Sequence, residues 1–178
     1  MISRQQSFWI SIRIVCTVGL IFLVNYLFSF LNAYIILMID LILIWLLEPL
    51  DSLPMQILYG RKYVQGLEYK IQDKVGDMAL QTFVLMIHIN RIQSVGGLEI
   101  VMMFLLMYRL IGVLLFMHTK NDFYLFLFPN FFMDNIILYI FLKYILHWEA
   151  ENIVPIIIIS VPLKMLYEGA HHLWFTHI

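Results

Sequence analysis

Two pairs of carboxylates interrupt the apolar runs of this chain, Glu48-Pro-Leu-Asp51 and Asp73-Lys-Val-Gly-Asp77. A charge at the edge of a bilayer is costly unless it is paired, solvated or metal-bound, so these residues mark where function is sought first. Spacings of three and four place the members of each pair on one helix face. One loop joins the two segments, so all four acids converge near one interface. Four converging carboxylates repel, and protonation, basic neighbours or divalent cations must hold them together. Oxygen ligands without thiols or a multi-histidine set favour magnesium or manganese over zinc. Such ions favour a phosphate or diphosphate substrate. The alternative is an ordinary solvated loop in which Arg61, Lys62, Lys70 and Lys74 pair with the acids.

Further polar residues lie deeper in the apolar runs. Asp73, Asp77, Gln81, Val84, His88 and Arg91 follow one another along a drifting helical stripe that should face a bundle interior or a cavity. Interhelical hydrogen bonding is the simpler role for Gln81 and His88. Asp40 and Arg109 each sit mid-run and need a partner; they are candidates to pair with one another, or Arg109 holds a substrate phosphate. The histidines near the C-terminus, His171, His172 and His177, read as an interfacial tail beside Trp174. No nucleophile elbow, zinc-protease helix or glycine-rich phosphate loop is present.

The elements that must position these groups follow from composition. Of 178 residues, 62% are hydrophobic and 13% charged, and the mean hydropathy is +0.87, which excludes a soluble enzyme. A net charge of −1 offers no basic face for nucleic acid. The single Cys16 removes an internal disulfide and a cysteine-rich zinc site. Apolar runs near 10–30, 33–50, 75–92, 98–118, 131–148 and 153–168 predict an all-α, polytopic membrane helix bundle of about six transmembrane helices, a single integral membrane domain over 1–178. Residues 14–50 are almost unbroken; one helix there would be about 55 Å long, so a break is expected near Ser29 to Asn32. The segment Thr119 to Asn130 reads as an interfacial loop, because Pro129 interrupts a helix continuing into the next span. Arg4, Arg13, Arg61, Lys62, Lys70, Lys74, Lys120 and Lys164 fall on one side of a six-span arrangement, against Arg91 and Lys143 on the other, which puts both termini in the cytoplasm.

With its acids at the end of the second span and the start of the third, the chain resembles the CDP-alcohol phosphatidyltransferase family. Those six-span membrane enzymes carry a signature D-x2-D-G-x2-A-R followed by G-x3-D-x3-D. Glu48-x2-Asp51 stands where the first two acids belong and Asp73-x3-Asp77 where the last two belong. Glu replaces the first Asp, Ser52 stands at the glycine after the second acid, Met55 and Gln56 replace Ala-Arg, and Tyr69 stands at the second glycine. The resemblance implies that Glu48, Asp51, Asp73 and Asp77 bind Mg2+ or Mn2+ on the diphosphate of a CDP-linked donor such as CDP-diacylglycerol. It also implies that Asp77 is the general base that deprotonates the alcohol acceptor. Ser52, Arg61 and Arg109 are then the substrate-binding candidates, with Arg61 in place of the lost arginine.

The expected function is therefore phosphotransfer from a CDP-linked donor to an alcohol in phospholipid synthesis. The partners are membrane lipid, donor and acceptor; a homodimer is open and nucleic acid is not expected. The competing readings are a non-catalytic membrane scaffold related to such enzymes and, less favoured, a small transporter. The residues do not distinguish one organelle from another.

Overall fold

The computed structural model of the chain describes residues 2–60, 66–92, 98–148 and 154–176. Every described element is helical: α1 (Ile2–Leu27), α2 (Ala33–Leu47), α3 (Pro49–Tyr59), α4 (Leu67–Ile92), α5 (Leu98–Thr119), α6 (Phe123–Leu127), α7 (Phe131–Ile140) with a π-helical turn (Phe141–Ile145), and α8 (Val154–Thr176). Four stretches are long and apolar enough to cross a membrane: Arg4–Leu27, Ala33–Tyr59, Leu98–Thr119 and Phe123–Ile145. This is the pattern of a multi-pass membrane protein. Val154–Leu166 is a shorter apolar helix, and α4, though 26 residues long, is not among the four.

The break in the first long apolar run falls at its expected place. Helix α1 stops at Leu27, and Asn32 opens α2 by accepting the Tyr34 N–H on its Oδ1 at 2.9 Å. That bond satisfies one of the donors that a helix start leaves orphaned. Glu48 keeps helical backbone angles and Pro49 begins α3, so the second run continues through the junction to Tyr59 and is longer than the hydropathy of 33–50 suggested. Gly60, at φ 82°, ends it in a conformation that side chains rarely adopt.

The chain divides into two compact units, Met1–His88 and Ile89–Ile178. In the first, α1 buries one narrow stripe, Gln6, Ile10, Arg13, Thr17 and Ile21, at the three-and-four spacing of a single helix face. That stripe is partly polar because it packs against polar residues of α4. Tyr59 donates from its hydroxyl to Gln5, joining α3 to α1, and Phe22 meets Phe83 edge-to-face. Helix α2 adds the apolar core through Ile36, Leu37, Leu41 and Ile44.

In the second unit, α5 carries Tyr108 and Arg109 toward the segment that follows it. The Tyr108 hydroxyl donates to the Leu127 carbonyl at 2.7 Å, and its ring packs on Phe128 and Phe131. The segment expected to be a loop thus contains the five-residue α6, opened by Asn121 accepting the Phe123 N–H at 2.9 Å. Pro129 still separates it from α7. Lys164 of α8 pairs with Asp134 of α7 at 2.7 Å, and Ser160 donates to the buried Asn135.

Candidate functional site

The first unit brings Asp73 and Asp77 of α4 onto two cations. Arg13 Nη1 lies 2.9 Å from Asp73 Oδ1, and its Nη2 lies 3.1 Å from Asp77 Oδ1. Lys74 Nζ lies 2.7 Å from Asp73 Oδ2 and 3.2 Å from Asp77 Oδ2. All four carboxylate oxygens are therefore engaged, and charge is balanced within the cluster. A guanidinium spreads two parallel donors, which is why Arg13 bridges two acids one helical turn apart. Gly76 makes room for it, since a Cβ there would come within 2.9 Å of Arg13 Nη2.

Arg13 is the residue that the sequence reading missed. Its charge counts in the sequence among those that set the orientation, yet its side chain is only 1% exposed, on the buried stripe of α1. The signal was available: Gln6, Arg13 and Thr17 recur at helical spacing on one face of α1, in line with Ile10 and Ile21. Of the cations expected to pair with the acids, Lys74 does so.

Glu48, exposed where α2 meets α3, lies close enough to Asp77, Lys74, Asp73 and Arg13 to feel their charges. Three of the four acids of the expected pattern therefore gather on one side of the unit. The side chain of Asp51 is outside the described set, as is Arg61 altogether. Ser52 donates to the Pro49 carbonyl of its own helix at 3.4 Å, and with Trp45, Leu46, Glu48 and Pro49 it lines an open groove of about 350 Å³. The Asp73 carboxyl is pushed up by burial, but the charges and hydrogen bonds of Lys74 and Arg13 outweigh this and hold it below the usual carboxylate range.

This arrangement does not fit a pair of divalent cations. A metal needs carboxylate oxygens turned toward it, and those of Asp73 and Asp77 are turned to Arg13 and Lys74. Among the described residues no group of three or more His, Cys, Asp or Glu is placed to hold a metal ion.

Arg109 is not paired with Asp40. Its Nη1 donates to the carbonyls of Leu125, at 3.4 Å, and Phe128, so it ties α5 to the end of α6. Asp40 finds its partners within the first unit. Its Oδ2 accepts from Asn25 Nδ2 at 2.8 Å and meets His88 Nε2 at 2.7 Å, and Asp40 and His88 are both fully buried. The stripe of α4 faces inward as expected, with Asp73, Gln81, Val84 and His88 all buried. The side chains of Arg91, His171, His172 and Trp174, and the whole of His177, lie outside the described set.

No family model matches the chain, and neither a curated protein nor a solved structure is similar to it.

Proposed function

We propose that this chain is a non-catalytic, multi-pass membrane scaffold in which the acids of a phosphatidyltransferase-like pattern serve as a charge-neutral staple between α1 and α4. The observation that carries this reading is the engagement of every oxygen of Asp73 and Asp77 by Arg13 and Lys74. Such a staple lets the polar helix α4 sit beside apolar ones, because its charges arrive already paired. The full bundle then has about six spans, with the basic loops and both termini on the cytoplasmic side.

A second reading is favoured by the position of Glu48 beside Asp73 and Asp77. Under it the protein is a CDP-alcohol phosphatidyltransferase-like enzyme. Its acids exchange Arg13 and Lys74 for Mg2+ or Mn2+ when a CDP-linked donor enters, and Asp77 is the base for the alcohol acceptor.

The two readings separate in one set of melting curves on the detergent-purified protein. The staple predicts no rise in melting temperature with magnesium or manganese, with or without CDP-diacylglycerol. It also predicts that Arg13→Met lowers stability by about 3–5 kcal/mol, the cost of breaking a buried pair. A metal-dependent rise that grows further with CDP-diacylglycerol sinks the staple and establishes the enzyme. In that event Asp77→Asn should abolish turnover while leaving the fold intact, and Glu48→Asp should raise activity.

A further inference from the structure

The two sets of polar contacts in the first unit are not isolated from each other. Arg13, Thr17, Ile21 and Asn25 follow at four-residue steps on α1, so they share one face. On α4, Asp77 and Gln81 are likewise four apart, and His88 lies two turns further on the same side. Thr17 and Gln81 are buried at heights between the Arg13–Asp77 pair and the Asn25–Asp40–His88 cluster. From Arg13 to Asn25 this polar file spans about 18 Å along the helix axis. That is more than half of the roughly 30 Å hydrocarbon thickness.

Several atoms along the file are buried with no protein partner: Thr17 Oγ1, Asp40 Oδ1 and His88 Nδ1. Buried polar atoms are nearly always satisfied, and where protein does not do so, ordered internal water does. Among the described side chains, Arg13 on α1, Asp77 on α4 and Glu48 at the end of α2 are about 18, 16 and 12 Å along their helices from Asn25, His88 and Asp40. A carboxylate and an imidazole sharing one short contact inside the unit, each with a second buried polar atom that no protein group satisfies, have the donor and acceptor set of a proton relay.

We propose that this file holds internal water and conducts protons along the first unit, with Asp40 and His88 as its inner exchange pair. Water delivers a proton to His88 Nδ1, and the imidazolium passes its Nε2 proton to Asp40 Oδ2. The resulting carboxylic acid carries that proton on Oδ2, turns about its Cβ–Cγ bond to present the O–H to the water on the far side of the carboxyl, and releases it there. One proton enters and one leaves, no electrons move, and exchange with water restores the starting tautomer.

The test is proton flux into vesicles of phosphatidylcholine that contain the full chain and a trapped pH-sensitive dye, driven by a potassium diffusion potential. The wild-type protein should raise the initial rate at least severalfold over protein-free vesicles. Asp40→Asn and His88→Asn should return it to the protein-free rate, while Lys164→Gln, at the outer pair of the second unit, leaves it unchanged. Thr17→Val keeps the shape of the side chain and removes only its unpartnered hydroxyl, so it should fold normally and lower the flux even if the other variants do not fold. A wild-type rate equal to that of protein-free vesicles overturns the proposal. So does a folded Thr17→Val protein that conducts as wild type.

Discussion

At the scale of single residues, the acids were legible and their partner was not. Asp73, Asp77 and Glu48 stand out because charge is scarce in this chain, and the structure gathers them. Arg13 was hidden because a basic residue near an N-terminus reads as a loop charge that reports orientation, and nothing local reveals that it is buried. The same holds for Asp40: its need for a partner was plain from the sequence, but the choice of His88 over Arg109 depends on which helices pack together. The pairing of Asp73 has a consequence in acid. Its folded value is held below the usual range, chiefly by Lys74 and Arg13 against the opposing effect of burial. The unfolded chain therefore binds the proton more readily than the folded one, and stability is present in full above the ordinary carboxylate range. It falls as pH drops through the folded value of Asp73. Melting curves between neutral pH and about pH 3 should show this acid loss, and Asp73→Asn, already lower at neutral pH, should show a shallower one. Parallel acid slopes in the two proteins would remove Asp73 from the account.

At the scale of elements, segmentation by hydropathy placed the helices well, and its errors have local causes. The break at Asn32 and the bounds of α5 came out as expected, because a capping residue and a run flanked by polar residues leave clear marks. The residues beyond Pro49 were missed as a continuation of the second run, because proline is tolerated in a first helical turn and does not stop a helix there. The short α6 was read as loop because proline follows it, and its real anchor, Arg109, lies on another helix. That anchor depends on a close approach: a Cβ on Gly112 would fall 2.2 Å from Phe128 Cβ and 2.8 Å from its Cγ. Alanine would gain about 1 kcal/mol of helix propensity, but Phe128 cannot yield without dragging its carbonyl from Arg109. We expect Gly112→Ala to destabilise by about 1–3 kcal/mol, the cost of overpacking. Thermal melting in detergent measures it, and a rise in melting temperature would mean that the α5–α6 contact is loose.

At the scale of the whole molecule, the strongest statement in the sequence was its hydrophobicity, and the folded chain turns much of it outward. Ile57 is 81% exposed, Phe30 77%, Leu166 71% and Val15 70%, which in water would be an aggregating surface. Inside the first unit, polar side chains such as Arg13, Asp40 and His88 are buried among apolar ones. An apolar exterior around a core that admits polar pairs is what a lipid solvent selects, because burying Leu against Leu gains little when the surrounding medium is itself hydrocarbon. Polar pairing must then supply the specificity that apolar burial supplies in soluble proteins. The single cysteine reports on this arrangement without any substitution. Cys16 is exposed on α1 between the inward-facing Arg13 and Thr17, on the outer side with Val15, Gly19 and Leu20. If α1 spans the bilayer, Cys16 faces acyl chains near its middle. In sealed membranes it should resist a charged, water-soluble maleimide for as long as the bilayer is intact and react with an apolar maleimide. Solubilisation in a mild detergent should change this little, while unfolding in dodecyl sulfate should open it to both reagents. Rapid labelling by the charged reagent in intact membranes would place the outer face of α1 in water, and its exposed side chains would then have to be covered by protein instead of lipid.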